Sequence, residues 1–514
     1  MNKKNKKIIV LFFFIIYLSV GLFAFNDYGI SWDENSERER GVYVHNLIFK
    51  GGNELIAPYH GTAFSFPLYL ITEKIHKFEQ PRQVMLFRHL ITFLLFYLAT
   101  IFFYLICRQR FKSYSLALLS TLFLILSPRI FAHSFYNSKD LAFLSIFIIS
   151  IYTLEKFLQK RSFTTAFFHA FVSAVLIGIR VMGIFIPALT LLIFAISIFH
   201  STKKYRQKSI LVLLIIYLLL LILLTVLFWP ILLENPLNIF EAFKNHASFS
   251  WTGSVLFLGD FIEAANLPWY YIPVWIAVTT PILYILFFLV GSFSIILKIT
   301  KEKFKKFTQI EDLIYLLWFA VPLLAILTLN SVVYNGWRHL FFIYPSLIII
   351  STVGILALSN YFKKILRKNF YNSFKIILTI SIIISILTTT NFIIKNHPHQ
   401  YVYFNIIGTH IIKYKKVNFD SDYWGLSYRK SLEYIVGIDK RDTINIFTET
   451  PAGALNSLIL KGSDRHRVFF TDSVNKADYY IGNDFRDQDN YPCRNEVFNI
   501  EVQNEIIMSV CKLK

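Results

Sequence analysis

Four short clusters of ionisable and aromatic residues stand beside long apolar runs. In such a chain they are where chemistry is expected, because a charge next to hydrocarbon is costly to keep. The first is Ser31-Trp32-Asp33-Glu34, followed by Glu37, Arg38, Glu39 and Arg40. A carboxylate held near a membrane surface and shielded by Trp32 is a candidate general base or metal ligand. The same residues also suit the solvated start of an interfacial helix with Glu/Arg pairs. The second runs from Ser127-Pro128-Arg129 through His133 to Tyr136-Asn137-Ser138-Lys139-Asp140. It puts cations, an amide and a carboxylate within a short turn, which fits an anionic phosphate beside an acid. It is equally a snorkelling Lys139 with Asp140 capping the next helix. The third is Asn335-Gly336-Trp337-Arg338-His339. Arg338 offers a planar positive fork for phosphate and His339 can donate to it or bind metal, while Trp337 also suits plain interface anchoring. The fourth is His397-Pro398-His399-Gln400-Tyr401-Val402-Tyr403-Phe404-Asn405 with Asp420-Ser421-Asp422-Tyr423-Trp424-Gly425. Its aromatics suit either an ordered interfacial segment or sugar binding. Arg180, alone in an apolar setting, is a phosphate partner or an anchor.

Other chemistries lack their signatures. The chain has no phosphate-binding Gly-x-x-x-x-Gly-Lys-Ser/Thr loop, no Gly-x-Ser-x-Gly elbow, no His-Glu-x-x-His and no Cys/His zinc spacing. Group transfer would then draw on an activated donor. A lipid-borne donor fits, since its tail would partition among apolar segments while its phosphate meets the basic residues.

The elements that must position these residues are membrane helices. Of 514 residues, 55% are hydrophobic and only 16% charged, and mean hydropathy is +0.51. That composition excludes a soluble, secreted or disordered chain. Apolar runs lie near 8–25, 90–106, 114–131, 141–154, 164–179, 183–199, 209–229, 270–297, 313–329, 341–358 and 376–394, about eleven crossings at roughly 20 residues each. The first run follows Lys3, Lys4, Lys6 and Lys7 and reads as a retained span rather than a cleaved signal. The net charge of +20 is gathered in alternate loops: Arg108, Arg110 and Lys112; Lys156, Lys160 and Arg161; Lys203, Lys204, Arg206 and Lys208; Lys298, Lys301, Lys303, Lys305 and Lys306; Lys363, Lys364, Arg367, Lys368 and Lys375. By the positive-inside rule these loops and the N-terminus are cytoplasmic, and the charge orients the protein in a bilayer rather than marking nucleic acid. All four clusters then fall on the outer face.

The expected architecture is an all-α polytopic domain over 1–394 with outer loops 26–89, 132–140, 230–268 and 330–340, and a small extracytoplasmic α/β domain over 395–514. The latter has a helix near Leu426–Val436 and strands near 443–447, 468–471, 479–482, 497–502 and 506–511 around a Gln503-Asn504-Glu505 turn. Cys493 and Cys511 both fall in this domain, where oxidation is permitted, so a disulfide between them and two free thiols are the alternatives.

Taken together, Trp32-Asp33-Glu34, Ser127-Pro128-Arg129, Tyr136-Asn137-Ser138-Lys139-Asp140, Gly336-Trp337-Arg338-His339-Leu340 with Tyr344-Pro345, and the fourth cluster through Tyr428 resemble the bacterial GT-C glycosyltransferases. These are relatives of the protein O-mannosyltransferases and aminoarabinose transferases, and the similarity covers nearly the whole chain in order. The resemblance implies a multi-pass enzyme of the bacterial inner membrane. It would transfer a sugar from a polyprenyl-phosphate donor to a hydroxyl of a lipid, glycan or protein acceptor on the outer face, with inversion. It maps the base onto Asp33, beside Glu34, and a second acid onto Asp140. Lys139, Arg129, Arg180, Arg338 and His339 are candidates for the donor phosphate from charge and position. No metal is assigned; a divalent ion would require Asp33, Glu34, Asp140 and His339 to converge. The competing class is a transporter or flippase of lipid-linked saccharides, which predicts polar groups near the bilayer midplane and an inverted repeat.

Overall fold

The computed structural model describes residues 2–51, 59–199, 204–247, 251, 253–302, 307–411, 418–482, 493 and 495–514. Of the expected basic clusters, Lys203, Lys303, Lys305 and Lys306 lie outside these residues. Among the described residues, nine helices are long and apolar enough to cross a membrane. They are Lys3–Ala24, Pro81–Phe111, Asp140–Lys160, Val181–Ile198, Lys208–Phe228, Ile282–Glu302, Phe307–Thr328, Arg338–Ile365 and Lys368–Lys395. The chain is therefore a multi-pass membrane protein.

The departures from eleven uniform spans have local causes. The run at 114–131 is a pair, Tyr114–Ile125 and Pro128–Tyr136, bent by 68°; Pro128 has no N–H to continue the ladder and starts the second helix at its first turn. The run expected at 270–297 is two helices, Tyr271–Thr279 and Ile282–Glu302, because Pro281 forces Thr280 into an extended conformation. Asn405 covers this break: its Nδ2 donates to the carbonyls of Ala277 and Thr280, both at 2.6 Å, and its backbone N–H to that of Val278 at 2.8 Å. Phe163–Ile179 has 17 residues, about 26 Å of helix, and ends at Arg180.

Side-chain contacts define two ends of the bundle. At one, the C-terminal turns of Pro81–Phe111 and Asp140–Lys160 meet the start of Phe307–Thr328. There Arg110 pairs with Asp312 through two hydrogen bonds of 2.7 and 2.8 Å, and Gln109 Nε2 donates to both Glu155 and Glu311. At the other end, the starts of Asp140–Lys160 and Arg338–Ile365 meet the loop helix Trp32–Lys50 and the C-terminal domain.

That domain is a five-stranded mixed sheet in the order Val468–Phe470, Ile444–Thr448, Tyr479–Gly482, Glu505–Lys512, Glu496–Val502, with the first three strands parallel and the last two added antiparallel. The central strand Tyr479–Gly482 is buried throughout, as a parallel strand covered on both faces must be. The final hairpin turns at Gln503 and Asn504, both left-handed (φ 54° and 65°). A disulfide joins Cys493 to Cys511, with Cα atoms 5.5 Å apart. A two-stranded ribbon, Ser254–Phe257 with Asp260–Glu263, lies in the 230–268 loop, where the sequence carried no strand signal we read.

The domain is stitched to the first loop. Asn456 Oδ1 accepts from the Ile30 N–H at 2.8 Å, and its Nδ2 donates to the carbonyls of Ile30, Gly425 and Ala452. Arg429 reaches the carbonyls of Asn26 and Tyr28, and the Trp32 N–H bonds to the Trp424 carbonyl at 3.2 Å.

Candidate active site

Four element ends converge on one buried charge centre. Ser31 caps the loop helix Trp32–Lys50 in a capping box with Glu34, whose Oε1 accepts from the Ser31 N–H at 2.7 Å. This cap places Asp33 in the helix's first turn. Asp140 opens its own helix; its N–H bonds to Asn137 Oδ1 at 2.8 Å and its Oδ2 accepts from Asn137 Nδ2 at 2.8 Å. Arg180 sits in an extended break between Phe163–Ile179 and the short turn Val181–Ile184. Arg338 starts the turn Arg338–Ile343, entered through left-handed Asn335 and Gly336 (φ 56° and 72°). That entry is pinned by the Gly336 N–H to Tyr271 Oη and by Trp337 Nε1 to Thr279 Oγ1.

Arg338 is the hub. Its Nη1 donates to Asp33 Oδ2 at 3.1 Å and to Asp140 Oδ2 at 3.2 Å, while Arg180 Nη2 donates to Asp140 Oδ1. The Arg338 guanidinium lies 5.0 Å from the ring centre of Tyr334 and 4.8 Å from that of Trp424, two cation–π faces that compensate its lost hydration. Asp140 is buried, with both oxygens engaged; the Asp33 side chain is 31% exposed and only its Oδ2 is held. Two acids at helix starts also sit where the helix dipole favours negative charge.

Lys139, Arg180, Arg338, His339 and Tyr334 line one side of a cavity of about 460 Å³ whose other walls include Val181, Phe185, Ile326 and Phe342. The cavity is thus apolar along its length and basic at one end. Lys139 is 3.7 Å from Glu37, which Arg40 also holds. Burial and then the Arg40 cation push the Lys139 ammonium down to about 7, against the pull of Glu37.

The structure brings Asp33, Asp140, Arg180 and Arg338 together and gathers Lys139 and His339 with Arg180 and Arg338 at one cavity. It turns two expected residues elsewhere. Glu34 is buried, with its second oxygen accepting from His89 Nε2 at 2.9 Å, so both oxygens serve the helix start. Arg129 packs over Trp275 and Phe404 (5.2 and 5.0 Å) and donates to the Tyr403 carbonyl at 3.1 Å. Asp33, Glu34, Asp140 and His339 do not form a metal-binding set, and no group of three His, Cys, Asp or Glu side chains that could hold a metal occurs among the described residues. Sequence reasoning missed the contacts of Tyr334, one residue before the third cluster, and of Trp424, read there only as part of an interfacial or sugar-binding string. Tyr334 lies four positions before Arg338, at helical spacing that could have suggested the contact, whereas no local signal marks Trp424, which meets Arg338 across the fold.

No family model matches the chain, and no curated protein does. Among solved structures, ArnT from Cupriavidus metallidurans in the apo state aligns with a TM-score of 0.50 at 11% identity, covering 98% of this chain and 97% of that one. The structure of the same protein bound to undecaprenyl phosphate aligns with a TM-score of 0.49 at the same identity and coverage. By its architecture, the chain is a polytopic membrane protein with a fold like that of ArnT.

Proposed function

We propose that the protein is an inverting membrane glycosyltransferase that moves a sugar from a polyprenyl-phosphate donor to an acceptor hydroxyl at the membrane face carrying the C-terminal domain. The observation that carries this reading is a partly exposed carboxylate, Asp33, held by Arg338, where Arg338 with Arg180 and Lys139 forms the basic part of an otherwise apolar cavity. An isoprenoid tail suits the apolar walls, and a phosphate suits the basic end. The fold likeness to ArnT agrees with it. With the N-terminus cytoplasmic, as the loop charges require, this face is the outer one of the bacterial inner membrane.

In the reaction, the acceptor hydroxyl gives its proton to Asp33 as its oxygen attacks the sugar C1. The C1–O bond to phosphate breaks, and polyprenyl phosphate leaves with the electron pair. Arg338 orients Asp33 through the oxygen it holds, leaving the other for the hydroxyl. Lys139 and Arg180 take up charge on the departing phosphate, to which His339 donates a hydrogen bond. Asp140 aims both guanidiniums and stays ionised between them. No step is routed through a metal.

The test is mass spectrometry of membranes given a mixture of polyprenyl-phosphate sugars. The wild-type protein is expected to yield a glycosylated product, and Asp33→Asn to lower its rate about 10²–10⁴-fold while inserting normally. Near-normal turnover by Asp33→Asn would remove the base assignment. No transfer by folded wild-type protein would favour the transporter.

A further inference from the structure

A second recess lies away from the charge centre, where the last membrane helix meets the final hairpin of the C-terminal domain. The helix Lys368–Lys395 exposes Ile376, Ile377, Ile380, Ile383, Ile384 and Leu387 along most of its length, the surface of a span facing acyl chains. Its last two turns change character. Thr388, Asn391 and Lys395 form one stripe at helical spacing and make one wall of a recess of about 310 Å³. Glu501, Gln503 and Asn504 at the hairpin tip make the other.

The tip is held in place independently of any ligand. Gln503 accepts from the Phe404 N–H at 3.1 Å and donates to the Phe404 carbonyl at 2.8 Å. The recess is therefore fixed, while the groups that differ in sign across it are left uncommitted. The side chains of Asn391, Lys395, Glu501 and Asn504 make no hydrogen bond or ion pair among the described residues. A cation and an anion that share a recess without pairing fit a ligand carrying both charges. The acyl-facing stripe below says where the rest of that ligand runs.

We propose that this recess seats the head group of a phosphatidylethanolamine, its phosphate on Lys395 with Asn391 and Thr388, and its ammonium on Glu501 with the Asn504 carbonyl oxygen. A primary ammonium donates three hydrogen bonds, which a choline cannot, and a glycerol head group has no positive charge for Glu501. The proposal does not depend on glycosyl transfer, since none of these residues belongs to the charge centre.

The test uses the full-length protein in native mass spectrometry with equal mixtures of phosphatidylethanolamine, phosphatidylcholine and phosphatidylglycerol of identical acyl chains. The expected result is preferential retention of phosphatidylethanolamine. Glu501→Gln should reduce that retention about tenfold, to the level of phosphatidylcholine, the loss of one charge-assisted contact. Lys395→Gln should weaken all three lipids. Asn391→Leu, which fills the recess without touching either charge, should lower phosphatidylethanolamine retention if either charge variant folds poorly. Equal retention of the ethanolamine and choline lipids, a preference for phosphatidylglycerol, or a preference unchanged in Glu501→Gln and Asn391→Leu would each overturn the proposal.

Discussion

Arg338 shows how a buried charge is made tolerable and put to use. Its guanidinium is 3% exposed, a position that desolvation alone would forbid. Two carboxylates and two aromatic faces compensate, and each of the four comes from a different segment of the chain. Lys139 is less well compensated, and that gives it a pH signature. With its ammonium near 7, Lys139 is charged below that pH and neutral above it, so its attraction for a donor phosphate is present in acid and lost as pH rises through 7. We expect kcat/KM for the donor to fall up to about tenfold between pH 6 and 8, and Lys139→Arg, charged throughout, to flatten the profile. A wild-type profile that is already flat would show Lys139 to be uninvolved. Glu34, adjacent to the proposed base, should behave oppositely to Asp33. Glu34→Ala leaves the Ser31 N–H uncapped and His89 Nε2 without its partner, at a cost of about 2 kcal/mol in stability. It should lower the thermal midpoint while sparing transfer by the folded fraction, whereas Asp33→Asn should spare the midpoint and slow transfer about 10²–10⁴-fold.

At the scale of elements, the site is built from breaks. Pro128, Arg180 and Pro281 each break an apolar run, and Asn335-Gly336 turn the chain into the next helix; the side chains that meet at Arg338 come from such ends or from the loops beside them. Backbone groups freed by a break must find partners away from water, and here the C-terminal segments supply several of them: Asn405 covers the Pro281 break and Asn456 ties down Ile30. Asn456→Ala removes a side chain that makes four hydrogen bonds between buried groups. We expect it to cost about 3 kcal/mol and to raise hydrogen exchange together in residues 28–34 and 424–429, since these share the one clamp. Faster exchange in only one of the two segments would show that they are held separately.

At the scale of the molecule, the bundle has one end closed by a polar lock and the other open as a site. Gln109, Glu155, Glu311 and the Arg110–Asp312 pair tie three helices at the first end, and the polar groups of the site lie at the second rather than midway, which favours chemistry at a face over passage through the bundle. The C-terminal domain is part of that site, since it brings Trp424 onto Arg338 and holds the segment before Asp33. A chain ended after Asn396 should therefore insert in the membrane yet show no transfer, with the loop helix Trp32–Lys50 becoming sensitive to protease. Activity retained by that chain would separate the domain from the chemistry.

The sequence by itself determined that the protein spans a membrane many times and where a small α/β domain follows, because hydropathy and strand period are local properties. It also marked Asp33, Asp140, Arg180 and Arg338, since ionisable groups are conspicuous among apolar runs. Only the tertiary structure decided their partners. Asp33 and Glu34 are neighbours of the same chemical type, and nothing local says that one pairs with Arg338 and stays partly exposed while the other is buried at a helix start and meets His89, 55 positions away. Arg129 and Arg338 likewise carry the same charge beside aromatic residues, and the fold sets one against Phe404 and the other between two acids. The partners that give a charged group its role are distant in sequence, so the packing of the chain assigns it.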